Sequence, residues 1–218
     1  DNRLPIPCPV CADPGCSPAF CKNSFEFVVC DKCSTLYLSP RPPAHEFERF
    51  YRESPSSRYW ANTFFPNVIE IRRLTIFKSK VKRIKTFCDS KGITPKSIME
   101  VGAGHGIFLE EWRNDHPATN ALAIEPSPDL AKILREKGIE VLESVAERAV
   151  EWNARADLLA CFEVIEHSHD PLKLLRSFYN LVKKGGWVVM SGLGVEGFDI
   201  QLLWEKSKSI SPPHHINF

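Results

Sequence analysis

Between residues 97 and 191 short apolar runs alternate with helical patterns, and this alternation restricts the fold more than any other feature of the chain. The runs are Ser97 to Val101, Ala121 to Ile124, Ile139 to Leu142, Ala156 to Phe162 and Trp187 to Ser191. Between them Ile107 to Asn114, Pro128 to Lys137, Val145 to Asn153 and Pro171 to Lys183 carry apolar residues at helical spacing. Strands that alternate with helices predict an α/β fold with a parallel sheet and right-handed crossovers. Two helix boundaries are explicit: Asp170 is a good N-cap with Pro171 at the first helical position, and Lys183-Lys184-Gly185-Gly186 makes a basic last turn ending in glycine.

The first run closes on a glycine-rich turn, Met99-Glu100-Val101-Gly102-Ala103-Gly104-His105-Gly106, just before a helical pattern. In an open parallel sheet a turn at that end of a strand is where a ligand approaches the backbone. A dinucleotide fingerprint needs glycine at position 107, where the chain has Ile107, so a pyrophosphate cradle is disfavoured. Glu100 beside the turn and Glu125 at the end of the second run sharpen the reading. A carboxylate there accepts both hydroxyls of an adenosine ribose and discourages a nearby phosphate.

Six of the eight cysteines lie in the first 33 residues, which marks a separate module. Cys8-Pro9-Val10-Cys11 and Cys30-Asp31-Lys32-Cys33 are paired knuckles whose four thiolates complete a closed tetrahedral shell, so a structural zinc at Cys8, Cys11, Cys30 and Cys33 is expected. Phe25 to Val29 and Leu36 to Leu38 predict its hairpin. Cys16 and Cys21 are spare, unless one of them replaces a knuckle cysteine, and Cys88 and Cys161 lie in apolar contexts as core residues. Prolines 40, 42 and 43 end the module in an extended linker. A short helix and an aromatic cover loop are expected over Glu46 to Trp60, then one helix of about six turns on Val68, Ile71, Leu74, Phe77, Val81, Ile84 and Phe87. The expected organisation is a zinc-ribbon module over 1–43, a helical linker and cover segment over 44–92, and a core over 93–218.

The basic face of the long helix, Arg72 to Lys85, reads more readily as a solvated face than as a nucleic-acid surface. The 28 Lys plus Arg nearly cancel the 27 Asp plus Glu, leaving +1, so no global field selects a polyanionic partner. With no secretory pattern at its start and no run of about 18 apolar residues, the chain is expected to be cytoplasmic, with no membrane partner.

In MEVGAGHG, AIEPS, VLESVAE, ADLLACFEVIEHSHDP and KKGGWVVMSG, taken in order, the chain resembles the class I S-adenosylmethionine-dependent methyltransferases, whose core is a Rossmann-like parallel sheet. The resemblance implies that Glu100, Gly102, Ala103, Gly104 and His105 line the methionine end of S-adenosylmethionine and that Glu125 holds its ribose. Pro126 and Ser127 would flank ribose and adenine, Ser144 and Val145 would meet the adenine edge, and Phe162 and Glu163 would close the pocket. Through CDKCSTLYLSPRP the chain is also similar to a zinc-containing subset that includes sugar C-methyltransferases. Members of the family add a final antiparallel hairpin and a helix, roughly 40 residues counted at mean element lengths, and that C-terminal hairpin of the sheet is expected to be missing.

Methyl transfer from a sulfonium needs alignment, a dry pocket and a base where the nucleophile carries a proton. His167, His169, His214 and His215 are the candidate bases, because imidazole titrates near neutral pH; Glu166 stands beside the first as a candidate catalytic carboxylate. His105 is expected to be only a cofactor neighbour, and His169 a helix-entry residue. Glu163, Glu166 and His167 at i, i+3 and i+4 would share one side of a helical turn, a face suited to a divalent metal. EVIEH also resembles the string in magnesium-dependent O-methyltransferases, so Mg joins S-adenosylmethionine and zinc among the expected cofactors. The function expected is methylation of a small-molecule acceptor, foremost a sugar or nucleotide sugar. An RNA or metal-dependent O-methyltransferase and a non-catalytic cofactor-binding or scaffold module are the alternatives.

Overall fold

The computed structural model describes residues 2–218, apart from the side chain of Ser57. In chain order it forms β1 (Cys16–Lys22), β2 (Phe25–Cys30), β3 (Leu36–Leu38), α1 (Ala44–Glu53), α2 (Pro55–Tyr59), α3 (Phe65–Arg72), α4 (Lys78–Ser90), β4 (Ser97–Val101), α5 (Ile107–Asp115) and β5 (Asn120–Ile124). There follow α6 (Pro128–Glu136), β6 (Glu140–Leu142), β7 (Ala156–Phe162), α7 (Pro171–Leu181), β8 (Val182–Ser191) and α8 (Phe198–Leu203). The chain divides into two compact units, and neither is a continuous stretch.

The larger unit runs from Arg49 to Cys161 and from Arg176 to Met190. Its sheet has the order β6-β5-β4-β7-β8, and the β4–β5, β4–β7 and β5–β6 pairs are parallel. Every residue of β4 is buried, as a strand covered on both faces requires. Helix α6 starts on the Ser127 hydroxyl, which accepts from the Leu130 N–H, with Pro128 at its first position. The smaller unit holds the N-terminal residues through Glu48, Phe162–Leu175 and Ser191–Phe218. Its three-stranded antiparallel sheet has the order β1-β2-β3. Asp170 caps α7 as expected, its Oδ1 accepting from the Lys173 N–H at 2.9 Å.

Four expectations of local structure differ from what forms. Strand β1 has no strong strand signal because Pro18 sits in it; the proline is tolerated on this edge strand, where the register slips between Pro18 and Phe20. The predicted long helix is interrupted by a π-helical turn, Arg73–Phe77, between α3 and α4, and another π turn, Trp60–Phe64, precedes α3. A π turn inserts one residue and rotates the following face by about 100°, so Val81, Ile84 and Cys88 are buried while Ile71 and Leu74 stay exposed. Val145 to Asn153 forms two 3-10 turns, Ala146–Arg148 and Val150–Trp152, instead of an α-helix. The buried residues Ala146, Ala149 and Trp152 recur every three positions, which a three-residue turn eclipses on one side. Lys183 to Gly186 opens β8 rather than ending α7, and a Cβ on Gly186 would stand 2.9 Å from the Asp157 carbonyl, so only glycine permits that approach.

Candidate functional site

The four knuckle cysteines are brought together. Two local turns with one hydrogen-bond pattern do this. Cys8 N–H donates to the Asp13 carbonyl while its own carbonyl accepts from Ala12; Cys30 N–H donates to Thr35 while its carbonyl accepts from Ser34. Ala12 and Ser34 both take φ +61°, a left-handed conformation that non-glycine residues adopt only when their surroundings hold them there. The Sγ atoms of Cys8 and Cys33 are 3.5 Å apart, as are those of Cys11 and Cys30, and one ligand atom from each of the four lies within 4.8 Å of the others. A tetrahedron of thiolates about 2.3 Å from zinc has edges of nearly this length, so the donor set fits a zinc ion. Thr35 hydrogen-bonds the Cys33 thiol and pulls it down to about 6, favouring the thiolate a metal needs. Cys16 and Cys21 are exposed on β1, outside this group.

In the larger unit the glycine turn between β4 and α5 has Gly102, Gly104 and Gly106 at positive φ. A Cβ on Gly106 would lie 2.6 Å from Leu134 Cδ2, so that glycine is fixed by packing, whereas no atom stands within 4 Å of one on Gly104. The Glu125 carboxylate is 5% exposed and ties two strand ends together, accepting from Gly104 N–H and Ser127 N–H, each at 2.9 Å. Glu100 is 3% exposed and its Oε2 has no hydrogen-bond partner; burial, reinforced by Glu125, holds its carboxyl well above the usual range. A buried carboxyl oxygen without a donor and open space over Gly104 are what a cofactor with amino and hydroxyl donors would fill. His105 is turned to the backbone: its Nε2 donates to the Ala61 carbonyl at 3.0 Å, and Phe65 packs on the ring. Ser144 follows β6, its N–H on the Leu142 carbonyl and its hydroxyl on that of Val145, and Pro126 is half-buried after β5.

In the smaller unit Phe162 ends β7 and is buried. Glu163 then takes φ +54°, and its Oε1 accepts from the Ser191 hydroxyl at 2.7 Å. The helical turn expected to carry Glu163 is a 3-10 turn over Ile165–His167 that starts after it. One ligand atom each of Glu166, His167 and His215 lies within 4.8 Å of the others, so the acid–histidine cluster has His215 where the spacing suggested Glu163. Glu166 is 1% exposed and neither carboxyl oxygen has a hydrogen-bond partner; desolvation raises it to about 7. His167 donates from Nδ1 to the His214 carbonyl at 2.8 Å, which makes Nε2 its acceptor nitrogen, and burial together with His215 lowers it to about 3. The rings of His167 and His215 are 4.6 Å apart. His169 stands apart from them, its Nε2 on the Pro42 carbonyl and its ring against Phe47. Sequence reasoning did not single out Ser191 or Gly192, where a Cβ would lie 2.6 Å from Ile165 Cγ2.

The basic face of α3 and α4 is partly neutralised within its own unit. Arg73 pairs with Glu70, Glu110 and Glu111, and Lys85 with Asp115. Among the described residues no helix is long and apolar enough to cross a membrane.

Comparison with known proteins gives the fold a lineage. The chain is 30% identical over 169 residues to a ubiquinone biosynthesis O-methyltransferase of Proteus mirabilis, covering 74% of this chain and 64% of that protein. It is 33% identical over 111 residues to the enzyme so named from Escherichia coli O127:H6, covering 49% of this chain and 46% of the other. The chain thus spans about half to two thirds of the length of these curated relatives. Among solved structures, the plantazolicin methyltransferase BpumL in complex with a monoazolic desmethylPZN analog and SAH matches with a TM-score of 0.58 at 15% identity, over 76% of this chain and 68% of that one, a likeness of fold alone. A family model described as a methyltransferase domain matches residues 71–218. The chain therefore belongs to the methyltransferase-domain family, the class I S-adenosylmethionine-dependent enzymes.

Proposed function

We propose that the chain carries out S-adenosylmethionine-dependent methyl transfer to a small-molecule acceptor. The observation that carries the reading is the cradle around the glycine turn: the donor-less Glu100 oxygen, the open space at Gly104 and the Glu125 carboxylate at the end of the neighbouring strand. When bound, S-adenosylmethionine would supply an activated methyl group, with a neutral thioether as the leaving group. Glu125 would accept the cofactor's ribose hydroxyls and Glu100 its amino group. In the smaller unit Glu166, raised to about 7, is the group that can take or return a proton near neutrality, and Nε2 of His167, kept neutral by burial, accepts a hydrogen bond beside it. Cys8, Cys11, Cys30 and Cys33 would hold a structural zinc.

The acceptor we favour is a hydroxylated small molecule, either a phenol-like ring methylated at oxygen or a sugar. Two curated relatives are named O-methyltransferases, and the zinc-containing subset the sequence resembles supports the sugar. A second reading, in which transfer is metal-assisted, is favoured by one observation: Glu166, His167 and His215 converge as a carboxylate and two imidazoles. They would hold a divalent cation that lowers the acceptor's pKa. Calorimetric titration of the folded chain with S-adenosylhomocysteine tests the first reading. Saturable heat is expected, at least about tenfold weaker after Glu100→Ala; no heat in the unaltered chain sinks it. Dependence of turnover on added magnesium separates the second.

A further inference from the structure

Strand β3 has three residues, all fully buried, and both of its edges are hydrogen-bonded. One edge pairs with β2. The other holds Ile216–Phe218: Leu38 N–H donates to the Ile216 carbonyl at 2.9 Å, Leu36 N–H to that of Phe218 at 3.2 Å, and Phe218 N–H returns to that of Leu36 at 2.8 Å, with Tyr37 opposite Asn217. His214 and His215 immediately precede this ladder, so its register decides where they stand. On its far side the Ile216 N–H donates to the Glu166 carbonyl at 2.8 Å, and the His214 carbonyl accepts from His167.

Side chains tie the same two segments. Arg41 is 4% exposed; its Nη1 donates to Asn217 Oδ1 at 3.3 Å and its Nη2 to the His169 carbonyl. Asn217 in turn donates from Nδ2 to the Ser168 carbonyl at 2.7 Å. Burial lowers the Arg41 guanidinium to about 10, and the oxygens it reaches are neutral. A buried cation bonded to neutral oxygens is a costly way to fill space, since an apolar side chain of that volume would stabilise as much or more. What the arrangement supplies is fixed geometry between residues 168–169 and 217.

We propose that β3 of the cysteine-held ribbon is the template that sets His215 against His167, with Arg41 and Asn217 as its positioning residues. The proposal rests on the reading of Glu166, His167 and His215 as the reactive cluster, and deepens it by making the ribbon part of that cluster's assembly. Hydrogen–deuterium exchange and 15N-histidine spectra of the whole chain test it. In Arg41→Met and in Asn217→Leu, amides of 214–218 and 165–169 exchange roughly tenfold faster or more and the His167 and His215 imidazole resonances move. Amides of 98–124 and the affinity for S-adenosylhomocysteine stay as they were, and Arg41→Lys recovers part of the protection. Unchanged exchange at 214–218 in either variant, or Arg41→Lys no better than Arg41→Met, overturns the proposal. Where a variant loses protection at 98–124 as well and so has failed to fold, the milder Asn217→Ser decides on the same criteria. Absence of S-adenosylhomocysteine binding in the unaltered chain overturns the functional reading and leaves the exchange result standing.

Discussion

Glu163 and Glu166 leave one strand three residues apart and meet opposite surroundings. The first is exposed and hydrogen-bonded to Ser191; the second is buried with no donor on either oxygen. Desolvation moves the Glu166 carboxyl from 4.5 to about 7, so folding takes up a proton between those values. The folded state then binds more protons than the unfolded one, and stability falls as pH rises through that window. Glu166→Gln removes the penalty: in metal-free protein it should stabilise by up to about 3 kcal/mol at pH 8 and by well under half of that at pH 5, measured by urea unfolding. An equal gain at both pH values would refute the buried, neutral carboxyl. The pairing of Glu166 with His167 was legible as a string, whereas the recruitment of His215 was not. The two histidines are far apart in sequence, and what joins them is a backbone ladder to residues 36–38 that leaves no periodic trace. Nor does any residue type announce a glutamate at φ +54°, since glycine is the residue that signals such a turn.

At the scale of elements, the turn from β4 into α5 is set by contacts as much as by backbone freedom. Gly106→Ala would force φ +72° on an L-residue and push a methyl to 2.6 Å from Leu134, costing about 2 to 4 kcal/mol by the usual price of a left-handed residue and an overfilled core. Thermal unfolding that shifts by less than a few degrees would contradict this. The parallel strands β4, β5 and β7 were readable because both of their faces are largely buried and their apolar runs are short and bounded. So were the caps at Ser127 and Asp170, whose side-chain bonds are local. The π turns were not readable: Arg73–Phe77 keeps the three-to-four spacing of an α-helix on paper, and the extra residue shows only in which side chains end up buried. Strand β1 escaped notice for a related reason, since its Pro18 and exposed side chains belong to an edge.

For the molecule as a whole, the cysteine pattern separates ligands from bystanders. We expect one zinc per folded chain by elemental analysis. Cys33→Ser should release it to a colourimetric chelator far faster than the wild type does, and Cys16→Ser and Cys21→Ser should retain it, because those two thiols lie outside the tetrad. Equal loss from all three variants would show that the tetrad is misassigned. The ribbon itself was legible from two knuckles, but the unit it belongs to was not, because that unit also draws on Phe162–Leu175 and Ser191–Phe218. This has a consequence for how the protein is made. A ribosome finishes β1, β2 and β3 long before it reaches Ile216–Phe218, so until then the outer edge of β3 has unpaired amides beside leucine and tyrosine side chains that are buried in the folded protein. Such an edge is a ready template for another chain. The nascent protein is therefore most prone to aggregate in the interval before Ile216–Phe218 emerge, and Phe218→Pro, which removes the N–H that pairs with the Leu36 carbonyl, should lower soluble yield more than the size of the change suggests.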